Sequence, residues 1–126
     1  MNDHTILLRQ VNPNFVQQGR VTSQAFQPTP KDGDRLSVYD GDQIAPQEAH
    51  QHYTENFQAR SVGVMGVCVQ ECRHLELPAE PDPEPFPEHA VIDFSAFSRR
   101  QKETKAKQLR ARAQDRGWLY QAMEDQ

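Results

Sequence analysis

The chain has 126 residues, 36% apolar and 25% charged, with a net charge of −4, which fits one domain with a modest core and lies outside the disordered class. No apolar run approaches the roughly 20 residues of a membrane span, Met1-Asn2-Asp3-His4 lacks a secretory pattern, and two cysteines are too few for a disulfide framework, so a cytoplasmic protein with no membrane association is expected. Residues 1–94 carry 6 basic and 14 acidic side chains and residues 95–126 carry 8 and 4, a split that implies a basic tail docking on the chain's own acidic body or on an acidic partner.

Thr5 to Val11 is a short apolar run and reads as a first strand, ended by Asn12-Pro13-Asn14. Gly19 to Phe26 reads as a turn followed by a second strand, with Val21, Ser23 and Ala25 on one parity. Lys31-Asp32-Gly33-Asp34 is a turn, Leu36 to Tyr39 a short strand, and Asp40-Gly41-Asp42 a second turn. Pro46 suits a helix N1 position and Glu48 its first turn. Ala45, Ala49, Tyr53 and Phe57 then follow at four-residue spacing, which predicts a helix over 46–58. Ser61 to Val69 is the most strand-like segment and the expected central strand. Its phase changes at Met65-Gly66, which implies either a bulge or burial on both faces.

Residues 77–88 form a proline-rich connector; five of the nine prolines fall within 78–88, a composition that favours an extended path. His89 to Phe94 is the last strand. A basic C-terminal helix is expected over 98–116, capped by Ser95 or Ser98. It carries an apolar stripe of Ala106, Leu109 and Ala113, and Gly117 ends it. Trp118-Leu119-Tyr120 returns to apolar character. The fold predicted over 1–126 is a single α+β domain. One mostly antiparallel sheet of four to five strands is covered by two helices. The predicted core is Ile6, Leu8, Phe26, Val38, Tyr53, Phe57, Val62, Val64, Val67, Val69, Val91, Ile92 and Leu109.

The Asp-Gly-Asp clusters do not reproduce the ligand order of a calcium loop, and Asp-Gly is a strong turn signal, so they read as turns. Cys68, Cys72 and His74, with His89 farther on, are residue types that suit zinc. Their spacing departs from the paired C-x2-C knuckle, so no metal is assigned. Cys68 reads as a small buried hydrophobe and Cys72 as the more exposed thiol. His50 and His52 point in different directions on a helix. No nucleophile elbow or phosphate-binding loop is present, and no cofactor is assigned.

Arg9, Ser23, Tyr39 and His89 are polar residues on otherwise apolar strands, where a nucleotide pocket could form. Mono-ADP-ribosyltransferases similarly build an NAD site from an Arg or His, a Ser/Thr strand and a third catalytic residue, although a late catalytic Glu is missing here. The basic helix could meet phosphates, but the acidic body would repel nucleic acid, and only Trp118 and Tyr120 could stack bases.

The series Arg9-Gln10-Val11-Asn12-Pro13-Asn14-Phe15, Ser23-Gln24-Ala25-Phe26, Leu36-Ser37-Val38-Tyr39 and His89-Ala90-Val91-Ile92 resembles small bacterial proteins usually labelled uncharacterised, over about residues 7–110. The resemblance implies one compact bacterial domain with Ser23, Phe26, Ser37 and His89 in recurring places, and no activity. Cys68, Cys72 and His74 are not part of it.

The function expected is that of a small accessory module in contact with a protein partner. It would use the proline-rich segment and Arg110, Arg112, Trp118 and Tyr120 of the C-terminal region. Self-association is compatible with this. The alternative is a nucleotide- or NAD-using transferase with its pocket around Arg9 and His89. That alternative requires Arg9, Ser23, Tyr39 and His89 to face one concave surface.

Overall fold

The computed structural model describes residues 1–122. In chain order its elements are β1 (Ile6–Val11), β2 (Val16–Gln17), β3 (Arg20–Val21), β4 (Arg35–Asp40), α1 (Pro46–Asn56), β5 (Gly63–Cys68), α2 (Val69–His74), β6 (Ala79–Pro81), β7 (His89–Asp93), α3 (Arg99–Arg116) and β8 (Tyr120–Gln121). Six strands form one sheet in the order β6-β7-β4-β1-β5-β8, and every neighbouring pair is antiparallel. Strands β2 and β3 make a separate small hairpin. The α+β class is as expected. The sheet has six strands because two very short ones, β6 and β8, are added at its edges. No helix among the described residues is long and apolar enough to cross a membrane.

The register sorts the side chains into two layers, since directly opposed residues project to the same face. Leu8 opposes Tyr39 and Gly66, and Tyr39 opposes His89. Leu8, Tyr39 and Val64 pack with Ala49 of α1 on this face. On the other face Leu7, Val11, Val38, Val67 and Ile92 pack with Phe26, Phe94 and the Ala106, Leu109 and Ala113 stripe of α3. The sheet is therefore sandwiched between α1 and α3.

Helix α3 forms where its local signals place it. Ser98 Oγ accepts from Gln101 N–H while the Gln101 side chain accepts from Ser98 N–H, a reciprocal capping box. Gly117 follows the helix at φ 85°. Part of its basic face turns onto the body of the chain. Lys102 meets Asp34 at 2.7 Å and Arg116 meets Glu71 at 3.0 Å. Lys105 Nζ donates to Leu75 O and Arg110 Nε to Val21 O.

Several expectations need correction. Residues 19–26 do not form a strand. Only Arg20–Val21 pairs, and Ser23–Phe26 coils into a 3-10 turn that buries Ala25 and Phe26. The alternating pattern there was local, and burial of Phe26 in the α3-side core overrides it. Pairing of β5 with β1 runs unbroken from Ile6↔Cys68 to Val11↔Gly63, so Gly66 marks no bulge. The strand is buried on both faces instead. It lies second from an edge, and β1 and β4 are the central strands. Helix α1 ends at Asn56, and Phe57 is 49% exposed rather than in the core. Ile6, Tyr53 and Val62 are half-buried at the core's margins. Within the connector Ala79–Pro81 pairs with β7, with Pro81 on an edge strand where it is tolerated.

Candidate functional site

Strands β1 and β4 pair only at Leu7↔Asp40 and Leu8↔Tyr39. Beyond Leu8 the ladder between them stops, and the Arg9 side chain takes up the opening. Its Nε donates to Ala25 O at 2.7 Å and its Nη1 to Ser37 O at 2.9 Å. The guanidinium thus supplies donors to a strand edge that β1 leaves unpaired. Above this split, on the α1 side, lies a cavity of about 230 Å³. Arg9, Gln10, Tyr39 and His89 line it with Leu8, Ser37 and Val38, and Tyr53, Phe57, Pro85 and Phe86 complete the wall.

The wall is aromatic. Phe86, from the connector, is its hub. The ring lies 4.9 Å from Tyr39, 4.7 Å from His52, 5.2 Å from His89 and 5.8 Å from Phe57, centroid to centroid. These spacings are those of favourable tilted and edge-to-face pairs. Tyr39 Oη and His52 Nδ1 share a hydrogen bond of 2.8 Å. Burial raises the Tyr39 pKa, with the neighbouring Tyr53 and Glu88 adding to it, so the phenol is neutral. His89 is 7% exposed. Its Nδ1–H donates to Asp82 O at 2.8 Å, and the Asp82 carboxylate is 3.6 Å away. That bond orients the ring and fixes Nδ1 as the protonated nitrogen.

The floor carries donors. Burial lowers the Arg9 pKa to about 10, against smaller raising effects of Tyr53 and Asp32, so Arg9 is a cation at neutral pH. Among the described residues no carboxylate stands within 4.0 Å of it. Gln10 is 6% exposed. Its Oε1 accepts from the Ser61 hydroxyl at 2.8 Å, while its Nε2 has no hydrogen-bond partner. The lining holds no Asp, Glu, Lys or Cys.

Three of the four residues singled out for a pocket, Arg9, Tyr39 and His89, therefore meet at one cavity. Ser23 does not. It sits in the 3-10 turn beside Arg20, Lys107 and Arg110 in a separate shallow groove. The cysteine expectation is reversed. Cys68, partly exposed, caps α2, whereas Cys72 is fully buried in the core and His74 is exposed. Helix α2 turns Cys72 inward beside Leu77, a direction that residue spacing alone does not reveal. Among the described residues no three His, Cys, Asp or Glu side chains form a group able to hold a metal. The Asp clusters act as turns: Asp40 accepts from Asp42 N–H and Gln43 Nε2, and Gly33 adopts φ 68°.

Arg112 is exposed, but its companions are engaged. Arg110 bonds Val21 O, Trp118 packs on the α3-side core, and Tyr120 packs on His50 at 5.0 Å. His50 and His52 diverge as expected, His50 toward Ser61 O and His52 toward Tyr39. Gln10, Phe57 and Phe86 are site residues that sequence reasoning did not place here. A sequence signal existed for one: Phe86 is the sole aromatic residue of the proline-rich run.

Comparisons of the chain with protein-family models, with curated proteins and with solved structures found no match.

Proposed function

We propose that the protein is a small-ligand-binding module that takes an organic molecule about one ring in size into the cavity between α1, the β1–β4 split and Phe86. The observation that supports it is convergence. Three neighbouring strands deliver Arg9, Tyr39 and His89 to one aromatic-walled cavity, the combination of apolar wall and few placed polar groups that typifies ligand sites.

At about 230 Å³ the cavity falls below the ~300–1,000 Å³ usual for drug-sized ligands. One ring and a substituent fit; a whole dinucleotide would lie mostly outside. This size favours binding over the NAD- or nucleotide-using transferase. A cytoplasmic setting agrees with two free thiols.

Contact with an acidic protein partner is a second reading. It is supported by Arg100, Lys107 and Arg112, which are exposed on α3 and meet no carboxylate among the described residues.

A fragment screen by amide-resolved NMR tests the first reading. Hits should perturb β1, β4 and β7 around the cavity and be lost in Phe86→Ala. A library of single-ring compounds at millimolar concentration that leaves those resonances unmoved would overturn it.

A further inference from the structure

We infer that the ligand of this cavity is a small planar carboxylate, its carboxylate held by the Arg9 guanidinium and its ring against Tyr53, Phe57 and Phe86. The inference rests on the binding role proposed above and adds the chemical class.

Donors and acceptors at the floor are out of balance. A guanidinium carries five N–H groups, and Arg9 spends two on Ala25 O and Ser37 O. Three remain on a half-buried cation with no carboxylate within 4.0 Å among the described residues. Charged groups taken from water ordinarily have a partner. Gln10 takes no part in this, because its Oε1 is held by Ser61 and its Nε2 is itself buried.

A carboxylate answers this cation, because its two oxygens match the guanidinium fork. A phosphate is a poorer match, because it brings up to two charges to a single cation. The aromatic walls select a flat apolar body, which stacks or meets them edge-on.

The test is a set of NMR titrations of the full chain at pH 7 with benzoate, benzamide and benzylammonium. Benzoate is expected to perturb the resonances of β1, β4 and β7 saturably. Its affinity should exceed that of the neutral and cationic probes by about tenfold or more, since charge-assisted bonds are roughly twice as strong as neutral ones.

Arg9→Lys keeps the charge but loses the fork, and should weaken benzoate by about tenfold. Benzamide binding as tightly as benzoate would overturn the carboxylate assignment while leaving the cavity's binding role standing. Unchanged benzoate affinity in a folded Arg9→Lys would overturn the role of the guanidinium fork. If no probe perturbs the cavity, the binding role itself fails.

Discussion

Replacing Gly63 by alanine should detach the C-terminal strand, and the size of the effect follows from distances at one point. A Cβ on Gly63 would lie 2.5 Å from Tyr120 O and 2.9 Å from Trp118 Cζ3. Carbon contacts relax at about 3.5–4.0 Å, so β8 must retreat by roughly 1 Å. Two backbone bonds cannot survive that retreat: Leu119 N–H to Val64 O and Ala122 N–H to Val62 O, both 2.9 Å.

Each such bond contributes about 1 kcal/mol net, and partial loss of Trp118 packing adds about 1–2 kcal/mol. The total is about 3 kcal/mol, within the ~5–15 kcal/mol that a domain can spare. The cost is also capped, because β8 can come away while the remaining five strands stay paired. Trp118 is the single tryptophan, so its fluorescence reports this event alone. Gly63→Ala should shift its emission to the red, lower the melting temperature by about 10 °C, and leave far-UV circular dichroism nearly unchanged. Emission and melting temperature equal to the parent's would refute the packing of β8 on β5. They would also return Trp118 and Tyr120 to the pool of surface available to partners.

Arg9→Met should destabilise the fold by about 2–4 kcal/mol, because two carbonyls lose charge-assisted donors; stabilisation in urea titrations would mean that burying the cation outweighs its bonds. Burial pushes the Glu71 carboxyl up, but hydrogen bonds from Arg116 and Cys68 N–H and the Arg116 charge outweigh it, and its pKa falls below the ordinary 4.5. Its contribution is therefore complete above the unfolded value and is lost as pH falls through the lower folded one. Glu71→Gln should flatten the stability profile below about pH 4.5, and an unaltered acid limb would contradict the assignment. Cys72 is pushed up to about 12 by burial, with Cys68 and Glu71 nearby adding to it. Alkylation of native protein at pH 8 should therefore modify Cys68 first and Cys72 only on unfolding; equal rates for both thiols would exclude the buried placement.

Elements whose signals are local were legible from the chain. Helix α3 has its Ser98–Gln101 box, its Ala106–Leu109–Ala113 stripe and its terminal Gly117 within one stretch. Each part needs only neighbours three or four residues away. Strands β1, β4 and β7 announced themselves as short apolar runs between turn residues. Strands β6 and β8, three and two residues long, carry too little pattern to be seen. They exist because β7 and β5 offer them an edge.

The candidate site divides along the same line. Arg9, Tyr39 and His89 stood out as polar side chains on apolar strands, and that much is written in the order of residues. Which face each side chain takes depends on pairing register, a relation between segments far apart in sequence. Register set Tyr39 opposite both Leu8 and His89. It left Ser23 outside, in a turn that packs under α3. The early end of the β1–β4 ladder opened the space that Arg9 and Gln10 line, and the connector's return brought Phe86 onto Tyr39 from 47 residues away in the chain. Amino-acid order alone therefore determined the elements with short-range signals and the polar residues they carry. Tertiary structure decided which of those residues share a cavity, because only long-range pairing determines where a strand ends its ladder and what covers the gap.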